Sequence, residues 1–158
     1  MAARFEYRQA QEIAAAFHRH RVRYLFIGKS GAILLGYPDT TQDADLFLEK
    51  SPENGRAVVT ALAELEFPLT GEQRAEIARG KDFVQLRQGP FDLDLVFAPD
   101  GIESFEEADR RGLTVEGIRV AHVDDIIRSK EATGRVKDRE ALPRLKAFRE
   151  WWMERRPN

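Results

Sequence analysis

The sequence predicts an α+β fold: a two-layer domain in which a mixed, twisted β-sheet carries helices mainly on one face and a C-terminal helical pair. Three observations predict it. Short apolar stretches of strand character, Tyr24 to Ile27 first among them, are separated by stretches with the three- and four-residue apolar spacing of helices. Two pairs of strand-like stretches flank turn signals, Gln88-Gly89-Pro90 and Glu116-Gly117, and so should fold back as hairpins. The chain of 158 residues is 42% hydrophobic, enough for one core and too short for a second domain. A single domain over 1–158 is therefore expected, with its core at about 23–122 and C-terminal helices at about 123–155.

Tyr7 to His20 reads as a helix, because Ile13, Ala14 and Phe17 line one face. The strand Tyr24 to Ile27 stops at Gly28, and Ser30, Gly31 and Ala32 begin a short helical pattern. A second strand sets Asp43 and Asp45 among Ala44, Leu46 and Leu48. Ser51-Pro52-Glu53 combines an N-cap serine, proline at the first helical position and an early acid, opening a helix to about Leu65. Thr70-x-x-Gln73 is a capping box for a shorter helix ending near Gly80. Asp82 to Arg87 and Phe91 to Phe97 alternate as the strands of the first hairpin, with Pro90 restricting the start of the second. That hairpin brings Asp92 and Asp94 alongside the Asp43 strand. Leu113 to Val115 and Ile118 to Ala121 make the second hairpin. A helix starting at His122 or Asp124 runs through Thr133 and stops at Gly134. The last helix opens at Lys137-Asp138, where Pro143 is expected to be tolerable only near the first turns. Its stripe of Leu142, Leu145, Phe148, Trp151 and Trp152 suits core packing, and the Trp pair equally suits a partner surface.

The chemistry concentrates between Arg23 and Glu49. The period of two in a strand puts Asp43 and Asp45 on one face. Neighbouring carboxylates on a half-buried strand repel each other and lose hydration, so one takes up a proton unless a cation compensates. Mg²⁺ is held by one or two carboxylates together with substrate phosphates, and the Gly28-Lys29-Ser30 turn into a helix is a place for the outer phosphates of a nucleotide. The plainer alternative is an exposed strand face with no ligand. Asp92 and Asp94 are also two apart, and a site of this kind needs only one of them as a third carboxylate. Lys130 lies one turn before a helix end, where the helix dipole alone would favour a cation.

Other readings fail. Gly28-Lys29-Ser30 resembles the tail of a Walker A motif, but Arg23 stands where that motif needs glycine. Asp39-x-Thr41-x-Asp43 has Ala44 where a calcium loop needs glycine for its sharp turn. His18 and His20, among Arg19, Arg21 and Arg23, have no third ligand in view and read as a solvated helix end.

Gly28-x-Ser30 followed by Thr41-x-Asp43-x-Asp45 resembles the signature of nucleotidyltransferase-fold proteins related to DNA polymerase beta. Asp94-Leu95-Val96 before Gly101, then Asp125-Ile126-Ile127-x-x-Lys130, then Gly134-Arg135-x-Lys137-Asp138 are similar in order to small bacterial nucleotidyltransferases of the AbiEii toxin group. The likeness spans about Arg23 to Leu145, and Lys29 departs from it where the family has a small residue. It implies transfer of a nucleoside monophosphate from a nucleoside triphosphate to a hydroxyl on an RNA end, a protein side chain or a small molecule. It implies Mg²⁺ or Mn²⁺ in a two-metal scheme, with Asp43, Asp45 and Asp94 as ligands and catalytic carboxylates and Asp92 as the alternative third. Asp94, as the favoured third, matches the family's Asp-Leu-x, and Gly28, Lys29, Ser30 and Lys130 would bind the nucleotide. An antitoxin protein is an implied partner. A non-catalytic nucleotide-binding or antitoxin-like module of the same fold is the rival reading, with Lys29 as a sign of decay in the turn.

Composition narrows the class further. The formal net charge of -2 gives no overall field for nucleic acid, so any such contact must be local. The absence of cysteine excludes a disulfide framework and a cysteine nucleophile, and fits a reducing compartment. Arg4, Glu6 and Arg8 leave no apolar leader and no run reaches the length of a membrane span, so a cytoplasmic protein without a membrane partner is expected.

Overall fold

The computed structural model describes residues 4–156. Its centre is a six-stranded mixed sheet of β1 (Tyr24–Ile27), β2 (Asp43–Leu48), β3 (Phe83–Leu86), β4 (Asp92–Val96), β5 (Leu113–Val115) and β6 (Ile118–Val120), in the order β3-β4-β2-β1-β6-β5. The two expected hairpins form as antiparallel pairs, β3 with β4 and β5 with β6. The turn of the second places Glu116 and Gly117 both at positive φ, +49° and +84°, the two-residue turn whose twist suits a hairpin. At the centre β1 runs antiparallel to β2, while β2 pairs with β4 and β1 with β6 in parallel. Parallel neighbours need a crossover, and the helices supply it.

Alternation along the strands divides the apolar side chains between two cores. Tyr24, Phe26, Leu46, Leu48, Leu93, Leu95, Ile118 and Val120 face the larger core under α1 (Tyr7–Arg19), α3 (Pro52–Glu64) and α4 (Gly71–Arg79). Leu25, Ile27 and Phe47 face the other, beneath α5 (Phe105–Arg111), α6 (Val123–Thr133) and α7 (Val136–Arg155). Helices thus lie on both faces, which refines the expected layering. On the second face they cover only the β1 side of the sheet, and at the far edge Phe83 of β3 is 45% exposed. The half left uncovered is the half that carries the acidic residues.

Local signals act as expected at most helix ends. Ser51 accepts from the Asn54 amide at the start of α3, Thr70 and Gln73 close the capping box of α4, and Gly80 and Gly134 end α4 and α6 in the left-handed conformation. Two features differ. The helix α5 was not expected at all, although Ser104 caps it by accepting from the Glu107 amide. Pro143 lies well inside α7, in its third turn, and does not mark an early turn of it. It is tolerated because it stands on the exposed side of the helix, where water can satisfy the carbonyl that its missing N–H leaves free.

Between β1 and β2 runs the short helix α2 (Gly28–Leu34). Gly31 lets it close on its neighbours, since a Cβ there would stand 2.9 Å from the Phe26 carbonyl oxygen and 3.2 Å from the Ile126 side chain. The C-terminal pair α6 and α7 is held by the Arg149–Asp124 ion pair and by the edge-on approach of Trp152 to His122 at 5.3 Å. Among the described residues no helix is long and apolar enough to cross a membrane.

Candidate active site

The register of three strands assembles the acidic face. Ile27 pairs with Asp45 across β1 and β2, and Asp43 and Asp45 pair with Asp92 and Asp94 across β2 and β4. Residues paired across a sheet share a face, so all four carboxylates point to the side that α5 to α7 leave open. Asp94 and Asp45 form the inner pair and Asp92 and Asp43 the outer one. β4 lies inside the sheet between β3 and β2, so Asp92 and Asp94 are not the solubilising acids of an edge strand.

Gly28 makes room for this arrangement. Its φ of +63° lies in the left-handed region, and a Cβ built on it would stand 2.3 Å from Oδ2 of Asp45. The Asp45 carboxylate therefore rests on bare backbone at the end of β1. Ser30 fixes the same junction from below. Its buried hydroxyl donates to the Ile27 carbonyl and accepts from the Asp45 amide, each at 3.0 Å. The Gly-x-Ser turn and the Asp-x-Asp strand, read separately in the sequence, are thus one hydrogen-bonded unit.

Charge on this face is only partly offset. Burial, reinforced by the Asp94 carboxylate beside it, pushes the Asp45 carboxyl up to about 8, with Lys130 opposing the rise and Asp43 adding to it. Burial likewise raises Asp94, against the opposing charge of Arg87. Arg87, which sequence reasoning did not single out, is the cation of the cluster: Nη2 lies 2.8 Å from Oδ1 of Asp94 and 3.7 Å from Oδ2 of Asp43. Its approach to Asp94 is close but poorly directed, for Oδ1 is buried without a hydrogen-bond partner. No local motif announced Arg87: it ends the 82–87 stretch two residues after Gln85, and reaches Asp94 only because Gln85 pairs with Asp94.

The two predicted lysines differ in placement. Lys130 is 16% exposed, acts electrostatically on Asp45, and has its Nζ 3.6 Å from Oδ1 of the buried Asp138. Asp138 is in turn anchored by Thr133 at 2.6 Å and Arg135 at 2.7 Å, so Lys130 has a fixed base. Lys29 is 37% exposed and lies 3.3 Å from Asp39 in the loop after α2, where Arg144 also approaches at 3.8 Å. Lys29 is on the turn but leans away from the carboxylates. His20 meets Glu64 at 3.2 Å, as a helix-end residue would.

Among the described residues no three carboxylate or imidazole groups stand at ligand spacing around one point. The donor chemistry nonetheless fits a divalent ion, because hard carboxylate oxygens of paired strands crowd together and two of the acids are pushed up in pKa.

No protein-family model matches the sequence, and no curated protein does. Among solved structures the chain is similar to a candidate nucleotidyltransferase from Thermotoga maritima, with a TM-score of 0.57 at 19% identity over 94% of this chain and 92% of that one. A nucleotidyltransferase-like antigenic protein from Paracoccidioides brasiliensis is 15% identical over 92% of this chain and 79% of its own, with a TM-score of 0.48. At 19% identity the likeness is one of architecture: the chain shares the α+β fold of the Thermotoga maritima protein, and its own acidic face lies on β2 and β4.

Proposed function

We propose that the protein transfers a nucleoside monophosphate from a nucleoside triphosphate to a hydroxyl acceptor. The observation that carries this reading is the half-buried Asp45, seated against the bare turn at Gly28 and paired across the sheet with the buried Asp94, on a fold of matching architecture. Asp43 and Asp45, with an oxygen of Asp94, would hold a divalent ion, Mg²⁺ or Mn²⁺, and Asp92 is the outer alternative. When bound, that ion supplies Lewis-acid charge at the phosphates. The turn Gly28-Lys29-Ser30 receives the outer phosphates, and Lys130, steadied by Asp138, offsets their charge. Lys29 takes part by exchanging Asp39 for a phosphate, a small cost for a partly exposed pair. Asp94 helps to deprotonate the acceptor hydroxyl. The acceptor oxygen bonds to the α-phosphorus, the bond to the β-phosphate oxygen breaks, and pyrophosphate leaves.

The acceptor we favour is an RNA 3′ end or a protein side chain, as for the toxin of an AbiEii-like toxin–antitoxin pair with a small antitoxin partner. A small-molecule acceptor is the alternative within the same chemistry. A nucleotide-binding module without turnover is the competing reading, and the observation in its favour is Arg87 lodged among the carboxylates. Transfer assays with each α-labelled ribonucleoside triphosphate over RNA, protein and small-molecule acceptors decide between them. Labelled acceptor and released pyrophosphate are expected from the wild type, and neither from Asp43→Ala or Asp45→Ala. Nucleotide binding without transfer to any acceptor would favour the module.

A further inference from the structure

We propose that Arg87 is a built-in cation of the carboxylate site, standing in for one of the two ions of a two-metal centre, so that the chain binds a single divalent ion with its nucleotide. The inference rests on the nucleotidyltransferase reading and specifies how that site is charged.

One guanidinium reaches carboxylates on two neighbouring strands, Asp94 of β4 at 2.8 Å and Asp43 of β2 at 3.7 Å. That is a bridging position of the kind an ion would take. A guanidinium does not give up its proton in a protein, so while Arg87 stays its fixed positive charge fills the bridge between Asp94 and Asp43 and repels a second cation from it. Nor is Arg87 easily expelled, because Asp94 is only 7% exposed and its Oδ1 has no hydrogen-bond partner to replace it. Asp94 is left with its other oxygen.

The remaining side of the face is different. Asp45 has no ion-pair partner within 4 Å among the described residues, and the nearest lysine, Lys130, is paired with Asp138. Asp45 and Asp43, with the other oxygen of Asp94 beside Asp45, are enough for one Mg²⁺, which needs only one or two carboxylates beside the phosphates. Arg87 acts through Asp94 and is a positioning residue.

Mn²⁺ titration followed by electron paramagnetic resonance, on the full chain with a non-hydrolysable triphosphate, tests this by counting bound ions. One ion per chain is expected for the wild type and for Arg87→Lys, and two for Arg87→Met, whose fold is checked by circular dichroism. Arg87→Gln serves in its place if that variant does not fold. Two ions in the wild type, or one in a folded charge-free variant, would overturn the inference and leave the proposed function standing. No Mn²⁺ taken up with nucleotide in any of them would overturn both.

Discussion

Asp45 rests on Gly28 on one side and meets Asp94 on the other, and these contacts set both its charge and its vulnerability. Its carboxyl is raised in the fold from the ordinary 3.8 to about 8, so its contribution to stability is fully present below about pH 4 and is lost as pH rises through about 8. Without divalent ion the melting temperature should therefore fall between pH 5 and pH 8.5. Asp45→Asn should flatten that fall, and a variant that kept the full slope would locate the titration elsewhere. Gly28→Ala should destabilise by about 1–2 kcal/mol from the left-handed backbone alone, with a further loss from pushing the Asp45 carboxylate aside. Denaturant unfolding checks it, and a neutral result would mean that the turn relaxes. The acidic residues of this site were legible because a strand alternates strictly. Two things were not: the Ser30 hydroxyl serves the strand junction from a buried position, and Arg87 enters through a pairing between strands that no local motif announces.

At the scale of elements, capping chemistry was the most readable signal, and where it was overlooked an element was missed. Ser104 accepts from the Glu107 amide three residues on, as Ser51 does from Asn54 and Thr70 from Gln73, yet α5 is only seven residues long and lies between stronger patterns. The apolar stripe of α7 was legible, but its two tryptophans part company: Trp152 is buried, while Trp151 is 47% exposed beside Tyr37, Arg144 and Phe148 on a groove of about 520 Å³. A one-residue step turns a helix by about 100°, enough to move one indole from core to surface. Pro143 is the exception in this helix. Pro143→Ala restores an N–H to the Arg139 carbonyl and should stabilise by on the order of 1 kcal/mol, raising the melting temperature by about 3 °C. An unchanged or lower melting temperature would mean that Pro143 supports a contact that the helix needs.

Over the whole molecule, the two hairpins could be read from their turns, whereas the strand order β3-β4-β2-β1-β6-β5 could not. The parallel pairings of β2 with β4 and β1 with β6 join residues far apart in the chain and depend on how α1, α3 and α4 fill one face while α5 to α7 fill half of the other. That half-covered face is what turns four scattered aspartates into one cluster. The central claim is that the cluster binds a metal and a nucleotide together. Isothermal titration calorimetry with a non-hydrolysable nucleoside triphosphate, run in Mg²⁺ and again in EDTA, tests it most directly. Binding in Mg²⁺ that weakens at least tenfold in EDTA, and that Asp43→Ala and Asp45→Ala both lose, is the predicted result. Equal affinity in Mg²⁺ and in EDTA would contradict it.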